Sequence, residues 1–579
     1  MASTLAPGAE GGTPSATPPP APGMLRAEVG PAALVFVAAL AWLWFRGAPG
    51  LAVDAGSLPD GSDWPQYLAA AHVMAGDRDP GLLAAWPDWR NALYPWLLGL
   101  GVRTGAPREA AILLGWLGTG ALGAGAWLGA RALAGRAAAA MAVVFVMAPA
   151  MMVHVPGWMN PYPLLGGAVA LALGLAAWVP MALAHGWLRG TTLSLAAGGA
   201  AGVAFALDVR GALAVAGAGV VVVTASAGAW SRAWSRAART RAVLPVLAFA
   251  FAALPAPVFE RAVAVPRLPA PGQVTRAARQ PLALQVLAQA RVGRDELAAR
   301  GPLPVRAACP VLDPGPPGAV PGWRELRAAY DPRCARALLA HNLDGLREDG
   351  ELPAGAWLLP LGAVLLVSRR RGDSGGGRWI GLGVVGVPWL GTLATAAWTL
   401  CPDRYLLVAL GPLAAGAAAG VSLLGARLGR TRGSRGALGV AAVGLMVVPA
   451  PRPRAVPSRN GAAVRAWLAA AQRPGDAWMD CAMLGLGALD LPRRTHPAPY
   501  NLYGSDAHAC AAWVADPSGG GREGDAPLRP TTSRQARWLV TVEGGPQGPP
   551  GAAWRVEEVF AVQAMPQEPP VTLWRWDPP

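Results

Sequence analysis

The sequence predicts an α-helical polytopic membrane protein with about eleven transmembrane helices, outer-face loops and a small C-terminal α/β domain. Three observations carry the membrane assignment. Of the 579 residues, 53% are hydrophobic and only 14% charged, where an average soluble domain carries about 25% charged residues. Apolar segments of roughly the 20 residues that cross a bilayer recur along the chain. The arginines between them are alternately dense and sparse, as charge is on the two sides of a membrane protein. Such helices use roughly 220 residues and leave well over half the chain outside the bilayer, too much for connecting loops alone.

A formal charge of +15 would suit a nucleic-acid binder. The sequence contains no lysine, however, so all 49 basic residues are arginine, beside 74 Gly and 58 Pro. That composition reads as the codon bias of a GC-rich genome. The expected partner is the lipid bilayer and not nucleic acid.

Residues 1–30 are rich in Ala, Pro, Gly, Ser and Thr with no apolar period, so they bury too little surface to offset their ordering entropy and are expected to be disordered. No basic region leads into an apolar core there, so the run from Pro31 reads as a retained first helix and not a signal peptide. Helices are expected at 31–48, 110–130, 138–155, 162–182, 191–207, 212–227, 243–259, 353–368, 379–399, 405–425 and 437–451. With the N-terminus inside, the inner connections hold Arg131 and Arg136, then Arg189, then Arg232, Arg236, Arg239 and Arg241. The later ones hold Arg369, Arg370, Arg371 and Arg378, then Arg427, Arg430, Arg432 and Arg435. The short outer connections hold little beyond Asp208 with Arg210 and Asp403 with Arg404. The expected location is the inner (plasma) membrane, N-terminus cytoplasmic.

The domain reading is therefore 1–30, a transmembrane unit 31–451 with outer loops 49–109 and 260–352, and an extracytoplasmic α/β unit 452–579. In the first loop, Trp64–Met74 and Leu93–Val102 are too short to cross and suit helices lying in the interface, with Trp86, Trp89, Tyr94 and Trp96 at headgroup depth. In the tail, Asn460–Gln472 suits a helix, while Ala477–Cys481, Trp538–Val542, Arg555–Val562 and Val571–Trp576 have strand composition. Cys309 and Cys334 share the second outer loop, and Cys481 and Cys510 share the tail. Each pair is a disulfide candidate in an oxidising compartment, with Cys401 left at a membrane edge. No cysteine or histidine spacing suits zinc, and no Walker, dinucleotide or G-x-S-x-G pattern occurs.

The first outer loop gathers Asp54, Asp60, Asp63, Asp77, Asp79 and Asp88. Asp63 stands before Trp64-Pro65, where it suits a helix N-cap with Pro65 in the first turn. Asp54 and Asp60 lie in a Gly-rich turn, where carboxylates are ordinary turn formers. Asp63-Trp64-Pro65-Gln66-Tyr67, Arg90-Asn91-Ala92-Leu93-Tyr94-Pro95 and Asp403-Arg404-Tyr405-Leu406-Leu407 together, in this order and on this side, resemble the GT-C glycosyltransferases. That family includes the protein mannosyltransferases and the aminoarabinose transferases of lipid A. The resemblance covers roughly residues 31–425. It departs at Asp63-Trp64, where many members carry Asp-Glu, and after the third helix, where many place a second acid and this chain reads Trp158-Met159-Asn160-Pro161-Tyr162. The second departure leaves open an altered metal dependence, a different acceptor or lost activity.

The resemblance implies transfer of a sugar from a polyprenyl-phosphate donor to an extracytoplasmic lipid, glycan or protein. Asp63 would be the general base, with Asp54 the second candidate. Arg90, Arg404 and Arg210, with Tyr405, would meet the donor phosphate, and Tyr67 and Tyr94 would face the acceptor or the interface. A divalent metal ion is the one candidate cofactor, with no dedicated protein metal site. Two other readings are a secondary transporter, disfavoured by helix centres almost free of charge, and an inactive scaffold. The topology is directly testable. Reporter fusions after Leu352 and Gly551 should both report a non-cytoplasmic location, and cytoplasmic activity at either would overturn the orientation.

Overall fold

The computed structural model describes residues 24–51, 64–76, 91–149, 152, 159–233, 235–264, 303–309, 331–348, 376–398, 406–428, 436, 439–444, 463–464, 466–467, 470–471, 477–480, 495–496, 536–542, 554–560 and 571–576. Its helices are α1 (Met24–Leu51), α2 (Trp64–Ala75), α3 (Leu93–Arg103), α4 (Pro107–Ala134), α5 (Arg136–Met147), α6 (Tyr162–Ala176), α7 (Val179–His185) and α8 (Trp187–Leu207). They continue as α9 (Ala212–Ser231), α10 (Arg236–Ala253), α11 (Pro255–Phe259), α12 (Leu303–Ala308), α13 (Pro332–Glu348), α14 (Gly376–Gly381), α15 (Val387–Trp398) and α16 (Leu407–Leu428). Among the described residues, eight helices are long and apolar enough to cross a membrane. The chain is an α-helical polytopic membrane protein.

Most expected spans coincide with these helices. The span expected at 138–155 is described as the 12-residue α5, too short to cross by itself. The one at 353–368 lies outside the described residues, and that at 437–451 is described only in part. The helix expected to stop at 259 runs on through a π-helical turn, Glu260–Ala264.

Apolar side chains drive the helices into the bilayer but give little preference for one another there, so close backbone packing decides how they assemble. Gly118 and Gly125 of α4, seven residues apart and so on one face, meet Gly167 and Gly174 of α6, likewise seven apart. A Cβ at Gly118 would strike the backbone at Pro163, one at Gly125 the backbone at Ala170, and one at Gly167 the Gly118 carbonyl. The same device joins α8 to α10, where Gly198 lies on the Phe249 backbone and Gly202 on that of Ala253.

At the arginine-rich end, Glu28 of α1 is fully buried, 0% exposed. Its Oε1 accepts from Arg131 Nε at 3.0 Å and from Arg136 Nη2 at 3.3 Å. This carboxylate ties the start of α1 to the α4–α5 turn, which is made at Gly135 with φ +94°, a backbone that favours glycine. Beyond the π turn, Cys309 and Cys334 form a disulfide that staples α12 to α13. Asn342 of α13 then donates to the Ala396 carbonyl at 2.6 Å, in the last turn of α15.

The tail contains a five-stranded sheet of order β2-β1-β3-β5-β4, built from β1 (Ala477–Asp480), β2 (Thr495–His496), β3 (Ala536–Val542), β4 (Trp554–Phe560) and β5 (Val571–Trp576). β1 pairs parallel with β2 and β3, while β5 pairs antiparallel with β3 and β4. Val540, Val571 and Leu573 are buried in it. β2 is a short edge strand that composition did not reveal.

The glycine contacts generate a test. Gly167→Val should destabilise the protein in detergent by at least the ~1–3 kcal/mol typical of overpacking. Gly199→Ala, with nothing within 4 Å of its Cβ position, should hold or raise the unfolding temperature.

Candidate active site

The two motif helices of the first outer loop lie side by side. The Tyr67 and Tyr94 rings meet edge to face at 5.3 Å between centroids. Further along, the Cβ position of Gly99 is 3.0 Å from the Ala71 carbonyl oxygen. At the far end, Arg103 Nη2 donates to the Met74 carbonyl at 3.1 Å, capping the last turn of α2. Starts meet starts and ends meet ends, so α2 and α3 run parallel. The chain therefore begins both helices at one end: α2 at Trp64, next in sequence to Asp63, and α3 just after Asn91, next to Arg90.

The start of α3 is fastened at that end. Asn91 Nδ2 donates to the carbonyls of Phe205 and Ala206 at 2.9 and 3.1 Å, which belong to the last turn of α8, where carbonyls lack helical partners. Ala92 caps α3 with no side-chain bond of its own. Its amide donates instead to Glu260 Oε1 at 2.7 Å, an acceptor for one of the amides that a helix start leaves without a partner. Trp96 stacks edge-on against Phe259 at 4.8 Å beside this contact.

After α8 the chain turns sharply. Gly211 lies on the Ala204 backbone, where a Cβ would not fit. Asp208 Oδ1 accepts from the Arg210 amide at 2.8 Å, and Asp208 Oδ2 pairs with Arg210 Nη1 at 3.5 Å. The same Nη1 donates to the Tyr162 hydroxyl at 3.4 Å. Its guanidinium lies over the Tyr162 ring, 5.6 Å from the centroid. Tyr162 opens α6, and Asn160 Oδ1 accepts from the Tyr162 amide at 3.0 Å. One turn into α6, Gly166 lies against the carbonyl of Leu407, the first residue of α16. The starts of α3, α6 and α16 and the carboxyl end of α8 thus gather at the arginine-poor end of the bundle.

Of the site and disulfide candidates singled out in sequence, Arg210, Tyr67, Tyr94, Cys309 and Cys334 are described. Asp63, Asp54, Arg90, Arg404 and Tyr405, together with Cys481 and Cys510, lie outside the described residues. Arg210 is 8% exposed, held by Asp208 and Tyr162. Tyr94 is 0% exposed and Tyr67 4%, their rings packed against each other. The apolar faces of α2 and α3 are consumed by each other and by the bundle. Burial, with Tyr67 alongside, pushes the Tyr94 phenol well above its ordinary pKa, so it stays neutral. Asn160, within the 158–162 stretch that holds no acid, accepts from the Tyr162 amide at the helix start. Among the described residues no group of three His, Cys, Asp or Glu converges as a metal site. Sequence reading missed Glu260 and the roles of Asn91, Tyr162 and Asp208. An acid closing an apolar run was the one signal for Glu260.

The Tyr94 hydroxyl is buried with no hydrogen-bond partner among the described residues. Tyr94→Phe should therefore leave the unfolding temperature unchanged or raise it, by up to ~1 kcal/mol in stability. A fall of that size would mean the hydroxyl is bonded.

No family model and no curated protein matches the chain. Among solved structures it is similar to archaeal oligosaccharyltransferase AglB from Archaeoglobus fulgidus in complex with an inhibitory peptide and a dolichol-phosphate, at 10% identity and TM-score 0.48, covering 90% of this chain and 70% of that one. It is also similar to the Archaeoglobus fulgidus oligosaccharyltransferase complex with Zn and sulfate, at 12% identity, TM-score 0.47 and coverage of 88% and 68%. A third likeness is to ArnT from Cupriavidus metallidurans bound to undecaprenyl phosphate, at 14% identity, TM-score 0.34 and coverage of 96% and 98%.

Proposed function

We propose that the chain is a membrane glycosyltransferase moving a sugar from a polyprenyl-phosphate donor to an extracytoplasmic lipid, glycan or protein acceptor. One observation carries the reading. The sequence motifs that resemble the GT-C enzymes lie far apart in the chain, yet the helices they open start together, beside the Asp208–Arg210 turn, at the arginine-poor end. By the positive-inside rule this end faces outward, with the N-terminus cytoplasmic and the C-terminal unit extracytoplasmic.

The chemistry suits that placement. The donor's lipid tail stays in the bilayer and its phosphate lies at the surface. Asp63 takes the proton of the acceptor nucleophile as that nucleophile attacks the anomeric carbon. The bond from the sugar to the phosphate oxygen breaks, and its electron pair leaves with the polyprenyl phosphate. Arg90 and Arg404, with Tyr405, bind that phosphate, since guanidinium groups bond such oxygens in pairs. Arg210, held by Asp208 and Tyr162, adds fixed positive charge behind them. Asp54 is the second candidate base. A divalent ion, if bound, would polarise the donor phosphate, and the step above runs on the protein's own residues.

The test is sugar transfer from polyprenyl-phosphate donors in membranes, guided by mass spectrometry of lipid-linked sugar that copurifies with the protein. A copurifying water-soluble solute in its place would favour transport. Asp63→Asn should lower turnover by the ~10²- to 10⁴-fold that general-base assistance contributes, and should spare folding because Asn caps a helix about as well as Asp. Wild-type turnover in this variant at normal expression would make Asp63 a cap and nothing more.

A further inference from the structure

Glu260 is an acid that the transfer step does not use, placed where the molecule tolerates acids poorly. It is 6% exposed and opens a π-helical turn at the end of a candidate membrane span. Such turns are uncommon and gather at functional sites. Its hydrogen-bond partner is a backbone amide, that of Ala92, 168 residues away in sequence. On the neighbouring residue, Asn91 spends both amide hydrogens on the end of α8, directly before the Asp208–Arg210 turn. The segment 91–92 is thereby fixed on two sides, by α8 and by the π turn.

We propose that Glu260 is a positioning residue for the donor-phosphate site: with Asn91 it sets where the Asn91–Pro95 segment begins α3 relative to the turn that carries Arg210. The proposal rests on the reading of this end as the donor site. A cap that served only the stability of α3 would affect unfolding and leave ligand affinity alone. A positioning residue moves affinity, and any side chain that restores the acceptor oxygen restores it.

The experiment titrates undecaprenyl phosphate against purified full-length protein in detergent, read by native mass spectrometry. Glu260→Ala should weaken binding about tenfold, while Glu260→Gln, which keeps an oxygen for the Ala92 amide, should stay within about twofold of wild type. Asn91→Ala should weaken binding in the same direction. Wild-type affinity in Glu260→Ala overturns the positioning role, and so does a Gln variant as weak as the Ala variant. Should Glu260→Ala fail to fold, Asn91→Ala decides, and wild-type affinity there overturns the proposal. Wild-type protein that does not bind undecaprenyl phosphate overturns the functional reading, and this inference with it. Binding by wild type that the variants leave unchanged overturns the positioning role alone.

Discussion

Backbone contact between α4 and α6 is the constraint on which the rest of the molecule depends. Four glycines interlock across this pair, and lipid offers helices no hydrophobic reward for meeting, so contact of this closeness is what holds them. Once α6 is seated, Tyr162 at its start is seated too. Gly166 then receives α16, and Tyr162 receives Arg210 from the end of α8. The polar cluster at one end is thus a downstream product of missing side chains between α4 and α6.

Helix ends set the second layer of order. Each leaves carbonyls or amides without helical partners, and here they are met by side chains from distant elements: Asn91 for α8, Glu260 for α3, Arg103 for α2, Asn342 for α15. These bonds cross between helices, so satisfying the backbone also fixes relative position. The same few side chains therefore serve packing and geometry together.

The spans were legible because apolar length and arginine spacing are local properties of the sequence. The short helices α2 and α3 were legible as helices for the same reason. Their burial was not, because a short apolar helix reads alike whether it lies on a headgroup layer or against another helix, and only the partner decides. Glu260 sat at the boundary between an apolar run and a loop, and its partner is a backbone amide, which leaves no signature in the sequence. Of the site, the motifs before α2, α3 and α16 could be read in order, whereas the meeting of the described starts of α3, α6 and α16 depends on the α6–α16 and α8–α3 contacts. The lack of an acid across residues 158–162 could be read, but the service of Asn160 to the Tyr162 amide could not.

The buried carboxylate of Glu28 bears on biogenesis. α1 enters the membrane before α4 and α5 have been synthesised, and an unpartnered carboxylate is costly in that setting. Its partners, Arg131 and Arg136, arrive about a hundred residues later in the chain. Until then the first span carries a charge that has only water or lipid headgroups to hold it, near the surface where α1 begins. The arrival of the α4–α5 turn neutralises that charge and locks α1 in register. A helix inserted before its partners is, in this sense, finished only after them.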